Sequence, residues 1–161
     1  MPSLSPTEDN RKELAAQLSS LVAVCRDAEA GYKAAAEGTT DLELQALFSR
    51  LSRQRGDFAD ELQQAIDRLG CPVRDGSLTG ALYRGWLGLK AALLRNEVHA
   101  LLSQCEEGED EAVAAYRKAL ADPAVTGDHH VMINSQSIAI KLAHDEIKGL
   151  RDHPAYRPDA A

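Results

Sequence analysis

Four polar residues stand where the pattern of the chain calls for apolar ones. Glu29, Arg55, Glu109 and Gln136 each interrupt the apolar stripe of a separate amphipathic segment, near its middle. A charge taken out of water is costly unless it is paired. Four such intrusions, one per segment, therefore imply one shared polar cluster inside a helical core. A paired-metal carboxylate site would need a Glu from each of two helices and a Glu-x-x-His from each of two others. Glu29 and Glu109 match the single-Glu positions. The second segment, however, offers Gln54 and Arg55, and the fourth offers Gln136 with Ala139 three residues on. Both Glu-x-x-His motifs are missing. Arginine keeps its proton and ligates no metal, but its guanidinium can donate forked hydrogen bonds to carboxylates. The expectation is a buried Glu29–Arg55–Glu109 network with Gln136 beside it, in which Arg55 supplies the charge a metal pair would have supplied. Tyr32 and Tyr116 fall on inward stripes and are expected to donate hydroxyl hydrogen bonds to that layer.

Two other readings of the same residues stand beside this one. Glu29 or Arg55 could sit at a stripe edge and reach solvent. Alternatively, Glu29, Glu106, Glu109 and His144 could hold iron or manganese in a metal-binding or iron-oxidising protein. The run Cys105-Glu106-Glu107-Gly108-Glu109-Asp110-Glu111 is acidic enough to attract a divalent cation, although most such runs are solvated helix faces. His129 and His130 read as surface residues. Arg84-Gly85-Trp86 is expected to pack Trp86 onto the core, with Gly85 allowing the close approach. No phosphate-binding glycine loop, nucleophile elbow or Ser/His/Asp arrangement occurs, so no catalytic residue is assigned.

The elements that must carry these residues are helices. A first helix is expected over about Pro6–Glu37, capped by Ser5-Pro6-Thr7-Glu8 and ended by Gly38 in the left-handed conformation. Its stripe is Leu14, Leu18, Val22, Cys25, Glu29, Tyr32 and Ala36. A second begins at the capping box Thr40-Asp41-Leu42-Glu43, places Leu44 to Leu69 inward around Arg55, and stops at Gly70 and Pro72. So short a connection forces the two to run antiparallel. The next stretch opens as a loop with Gly70, Pro72, Asp75, Gly76 and Gly80. It then reads as a shorter helix from Ser77 or Thr79 to Arg95, about 24 Å long at ~1.5 Å per residue. That length returns the chain to the end where the second helix began. The helices before and after Asn96 could be separate or continuous. A third long helix spans about Glu97–Ala121, ended by Asp122-Pro123, and a fourth runs from Thr126 or Asp128 to Arg151. Two antiparallel pairs joined by a long helical crossover give an all-α, up-down-down-up four-helix bundle, and ferritin-like folds use one such crossover. Residues 1–151 read as one domain and 152–161 as a mobile tail.

Bulk properties narrow the class. The chain has 161 residues, suited to one core, with 44% hydrophobic and 27% charged residues. A net charge of −7 argues against nucleic acid or an anionic membrane as partner. No apolar run is long enough to span a bilayer, and the opening Met1–Ser5 lacks the charged and apolar regions of a secretory signal. Cys25, Cys71 and Cys105 have no metal-type spacing, and reduced thiols in a cytoplasmic protein are the expectation.

Several segments taken together resemble a bacterial family of ferritin-like four-helix-bundle domains of unknown function. They are Glu29-Ala30-Gly31-Tyr32 with Ala34-Ala35-Ala36-Glu37, Gln54-Arg55-Gly56-Asp57-Phe58, Gly76-Ser77 with Gly80-Ala81 and Arg84-Gly85-Trp86, and Cys105 to Asp110 with Ala115 to Leu120. The resemblance covers about Leu14 to Arg151. Glu107 stands where the family usually has arginine, which makes this helix more acidic. The resemblance implies a ferritin-like bundle and supplies no reaction. The resulting expectation is a non-catalytic cytoplasmic protein without a cofactor. It would be stress-associated and act through protein contacts or self-association, with a homodimer as the simplest form.

Overall fold

The structure is a computed structural model, and it describes residues 7–71, 86 and 88–158. These residues form five α-helices and no strand. The helices are α1 (Glu8–Gly38), α2 (Leu42–Leu69), α3 (Leu89–Arg95), α4 (Val98–Ala121) and α5 (Gly127–Asp152), followed by a 3₁₀ turn at Pro154–Tyr156. The expected capping box around Ser5 and the expected helix start at Ser77 or Thr79 lie outside the described residues. Thr7 caps α1, its Oγ1 accepting from the Asn10 amide at 3.3 Å. Asp41, one residue after the Thr40 that the expected capping box would use, caps α2 by accepting from the Leu44 amide at 3.1 Å.

Helix directions follow from which residues meet. Ser52 donates to the Glu29 carbonyl and Asp60 pairs with Arg26, so numbers rise on α2 as they fall on α1. The same reversal relates α1 to α4, through Gln17–Asp122 and Cys25–Tyr116. It relates α4 to α5 through Tyr116–Gln136 and Asp110–His144. It also relates α2 to α5 through Arg50–Glu146 and Phe58–Gln136. α2 and α4 consequently run parallel, and the Arg55–Glu109 pair joins them through the middle of the molecule. The apolar core lies on both sides of that pair. One half gathers Leu14, Leu18, Leu62, Ile66, Ile133 and Ile140, the other Phe48, Leu51, Leu101, Leu102 and Ile147.

Three breaks decide how the helices meet. Asn96 adopts a left-handed φ of 53°, ends α3 and separates it from α4, whose N-cap is Glu97. Asparagine tolerates that conformation better than most residues. Gly70 ends α2 in the expected left-handed state, with φ of 66°. Gly38 departs from expectation. It is the last helical residue of α1 and has no positive φ, and a Cβ there would collide with Leu93 of α3. Close approach, not turn geometry, selects this glycine. Beyond α5, the segment expected to be a mobile tail is partly anchored. Its 3₁₀ turn brings the Tyr156 hydroxyl to Asp41 Oδ2 at 3.0 Å, against the N-terminus of α2.

Candidate functional site

The central polar residues are positioned by three helices. Arg55 of α2 and Glu109 of α4 are wholly buried. Arg55 Nη2 donates to both carboxylate oxygens of Glu109, at 2.8 Å to Oε1 and 3.0 Å to Oε2. The Tyr32 hydroxyl, from α1, donates to Glu109 Oε1. The guanidinium carbon lies 5.8 Å from the centre of the Tyr32 ring, within cation–π range. One cation thus meets one carboxylate, with a neutral donor completing the carboxylate shell. Burial disfavours the charged guanidinium most, yet the Glu109 charge beside it outweighs that, and the Arg55 pKa is raised. Burial, reinforced by Glu109, also pushes the Tyr32 hydroxyl well above its ordinary value, so it remains a donor. Arg55 Nη1 is buried and has no hydrogen-bond partner among the described residues.

Glu29 is not part of this cluster. Its side chain is 37% exposed and pairs with Arg26 at 2.9 Å, and Arg26 in turn pairs with Asp60. The carboxylate lies over the α2 backbone at Gly56, where a Cβ would meet Glu29 Oε1 at 2.6 Å. The expected Glu29–Arg55–Glu109 triad is therefore a Glu109–Arg55 pair. Glu29 sits at the edge of its stripe, partly exposed and paired with Arg26.

Gln136 also lies apart from the pair, in a second polar cluster. The Tyr116 hydroxyl donates to Gln136 Oε1 at 2.6 Å, and Gln136 Nε2 reaches the Phe58 carbonyl at 3.5 Å. Cys25 Sγ lies 3.1 Å from the same hydroxyl. Because the tyrosine proton is committed to Gln136, the thiol is the donor to the tyrosine oxygen. Burial pushes the Cys25 pKa up to about 11 and raises that of Tyr116 well above normal, which keeps both groups neutral. Cys25 was legible only as an apolar-face residue; nothing in its spacing announced a hydrogen bond to Tyr116.

The alternative metal set separates as well. Glu29 is at the α1–α2 edge and Glu109 is held by Arg55, whereas Glu106 and His144 come together between α4 and α5. They are joined by Asp110, a member of the acidic run but outside the four-residue metal set, one helical turn after Glu106. His144 Nε2 is 2.7 Å from Asp110 Oδ1 and 3.9 Å from Glu106 Oε1, and Nδ1 is 3.0 Å from Asp145 Oδ1. The Arg151 guanidinium donates to Glu106 Oε2.

Trp86 packs against Tyr32 and the two helices α1 and α4. Its ring meets Tyr32 edge-on at 5.0 Å between centroids. It rests on Gly31 of α1 and Gly108 of α4, where an added Cβ at either position would collide with the indole. These two glycines give the indole its close approach; the role expected of Gly85 lies outside the described residues.

The sequence of residues 13–122 matches a family described as Domain of unknown function (DUF2383). The chain belongs to this family. The matched stretch holds Tyr32, Arg55, Glu109, Glu106 and Asp110, and it ends before the helix that carries Gln136 and His144. No curated protein matches the chain in sequence. Among the described residues, no helix is long and apolar enough to cross a membrane.

Proposed function

We propose that this DUF2383 domain is a non-catalytic, ferritin-like four-helix bundle with up-down-down-up topology, and that it works through protein contacts, first of all with a second copy of itself. The carrying observation is the buried Arg55–Glu109 pair. A fixed cation occupies the middle of the core, where bundles of this architecture hold paired metal ions on inward carboxylates. Arg55 ligates nothing and already neutralises the one fully buried carboxylate there, so the centre is a degenerate metal site that has become structural. The antiparallel α1–α2 and α4–α5 pairs, with α2 parallel to α4, support the topology. The three cysteines are free, which fits a reducing cytoplasm. The bacterial origin and the stress-associated role rest on the sequence resemblance alone.

The contact surface in this reading is the outward face of α5. Val131, Ile138 and Leu142 are 67%, 56% and 66% exposed and fall at helical spacing on one side. Sedimentation velocity over a range of protein concentrations is the test. A dimer that dissociates on the Ile138→Asp plus Leu142→Asp change supports the proposal. A monomer at every concentration, or rapid Fe(II) oxidation lost on Glu109→Gln, defeats it.

A further inference from the structure

We infer that Glu106, Asp110 and His144 form a mononuclear site for a divalent transition-metal ion, on the α4–α5 side of the molecule and separate from the central pair. One ligand atom from each of the three residues lies within 4.8 Å of the others. The side chains of Glu106 and His144 are each only 11% exposed, so packing rather than solvent sets their placement. Glu106 and Asp110 are one turn apart on α4 and therefore share a face, which α5 meets with His144.

The surroundings of the imidazole orient it as a ligand. Asp145 Oδ1 lies 3.0 Å from Nδ1 and also accepts from the Lys141 ammonium; with a proton on Nδ1, the Nε2 lone pair is directed at Asp110 and Glu106. A carboxylate behind the non-ligating nitrogen is the usual support for a metal-bound histidine. Nε2 consequently faces two carboxylates, a position suited to a cation. Ligands about 2.0–2.1 Å from a tetrahedral zinc ion lie ~3.3 Å apart. The present spacings of 2.7 Å to Asp110 and 3.9 Å to Glu106 bracket that value. Rotation of the exposed Asp110 side chain and a small shift of Glu106 would even them out. Arg151 holds Glu106 by Oε2, which leaves Oε1 for the ion and makes that ligand monodentate. One imidazole and two carboxylates, with the remaining positions for water, suit zinc or manganese better than magnesium.

The test is isothermal titration of the full chain, stripped with chelator, with Zn²⁺, Mn²⁺ and Mg²⁺ in separate runs. Expected is about one equivalent of Zn²⁺ or Mn²⁺, weakened about tenfold or more by His144→Ala and by Asp110→Asn. His130→Ala should leave it unchanged. Asp110 is largely exposed, so its variant retains the fold even where His144→Ala does not, and circular dichroism of each variant verifies this. No binding of Zn²⁺ or Mn²⁺, binding that survives both substitutions, or binding of Mg²⁺ alone would overturn the site. The readout is stoichiometry and affinity, so a failure here leaves the oligomer test of the proposed function untouched.

Discussion

At the scale of single residues, the difference between Glu29 and Glu109 shows how a polar residue on an apolar stripe is resolved. Both carboxylates were legible as interruptions of helical periodicity, but periodicity gives an angle around a helix and not a depth. Glu109 points at the axis and must be neutralised from within, which Arg55 and Tyr32 accomplish. Glu29 lies against Gly56 of α2 with part of its carboxylate in solvent and is paired with Arg26. Their substitutions should therefore behave differently. Glu109→Ala strands the buried Arg55 charge and is expected to cost about 3–5 kcal/mol of unfolding free energy. The double change Arg55→Met plus Glu109→Gln removes both charges, keeps an acceptor for the Tyr32 hydroxyl, and should cost markedly less than Glu109→Ala. Glu29→Gln disturbs only a partly exposed pair and should stay within ~0.5–1 kcal/mol. Urea denaturation of the four proteins measures all of this. A Glu29→Gln loss as large as that of Glu109→Ala would mean that Glu29 belongs to the buried network after all.

At the scale of elements, helix existence and limits were legible because capping residues and apolar periodicity mark them directly. Asp41 and Gly70 do at the ends of α2 what their residue types predict. The reasons for Gly38, Gly31 and Gly108 were not legible, because each is set by a side chain distant in sequence, Leu93 for the first and Trp86 for the others. The pairing of Asp110 with His144 was hidden for the same reason: the histidine comes from another helix, and an acidic run does not reveal which carboxylate faces a neighbour. The glycine pair makes a measurable claim about how Trp86 joins α1 to α4. Gly108→Ala adds a methyl group against the indole with little room to retreat, and overpacking of this kind typically costs about 1–3 kcal/mol. In a Trp86→Leu background the same change should lose more than half its cost, because the obstacle is gone. A double-mutant cycle by thermal denaturation reads the coupling. Additive effects would show that the glycine is selected by something other than the tryptophan.

At the scale of the whole molecule, the buried acids titrate in one direction, and this gives the fold a distinct response to alkali. Burial raises the pKa of Cys25 from 9.0 to about 11 and raises that of Cys105 further, with the Glu109 charge adding to the second. It also lifts Tyr32 and Tyr116 above 10.0. Each group keeps its proton longer in the folded chain than in the unfolded one. Below pH 9 both states are protonated at the thiols, and this contribution to stability is fully present. Above pH 9 the unfolded chain binds fewer protons, so the stability of the fold must decline as pH rises. The decline continues through about pH 11 for Cys25 and beyond it for Cys105, with a limiting slope of about 1.4 kcal/mol per pH unit for each thiol. The tyrosines steepen it above pH 10. These groups come from α1 and α4 and sit in the two core clusters on either side of the central pair, both built from the same four long helices. Their losses should therefore appear in a single unfolding transition. Tm measured by circular dichroism at pH 8, 9, 10 and 11 under reducing conditions should be flat at first and then fall with increasing slope. Replacing Cys25 and Cys105 by alanine should flatten the part between pH 9 and 10. A Tm that holds to pH 11, or a decline that the two alanines leave unchanged, would mean that these thiols are not sealed from solvent in the folded chain.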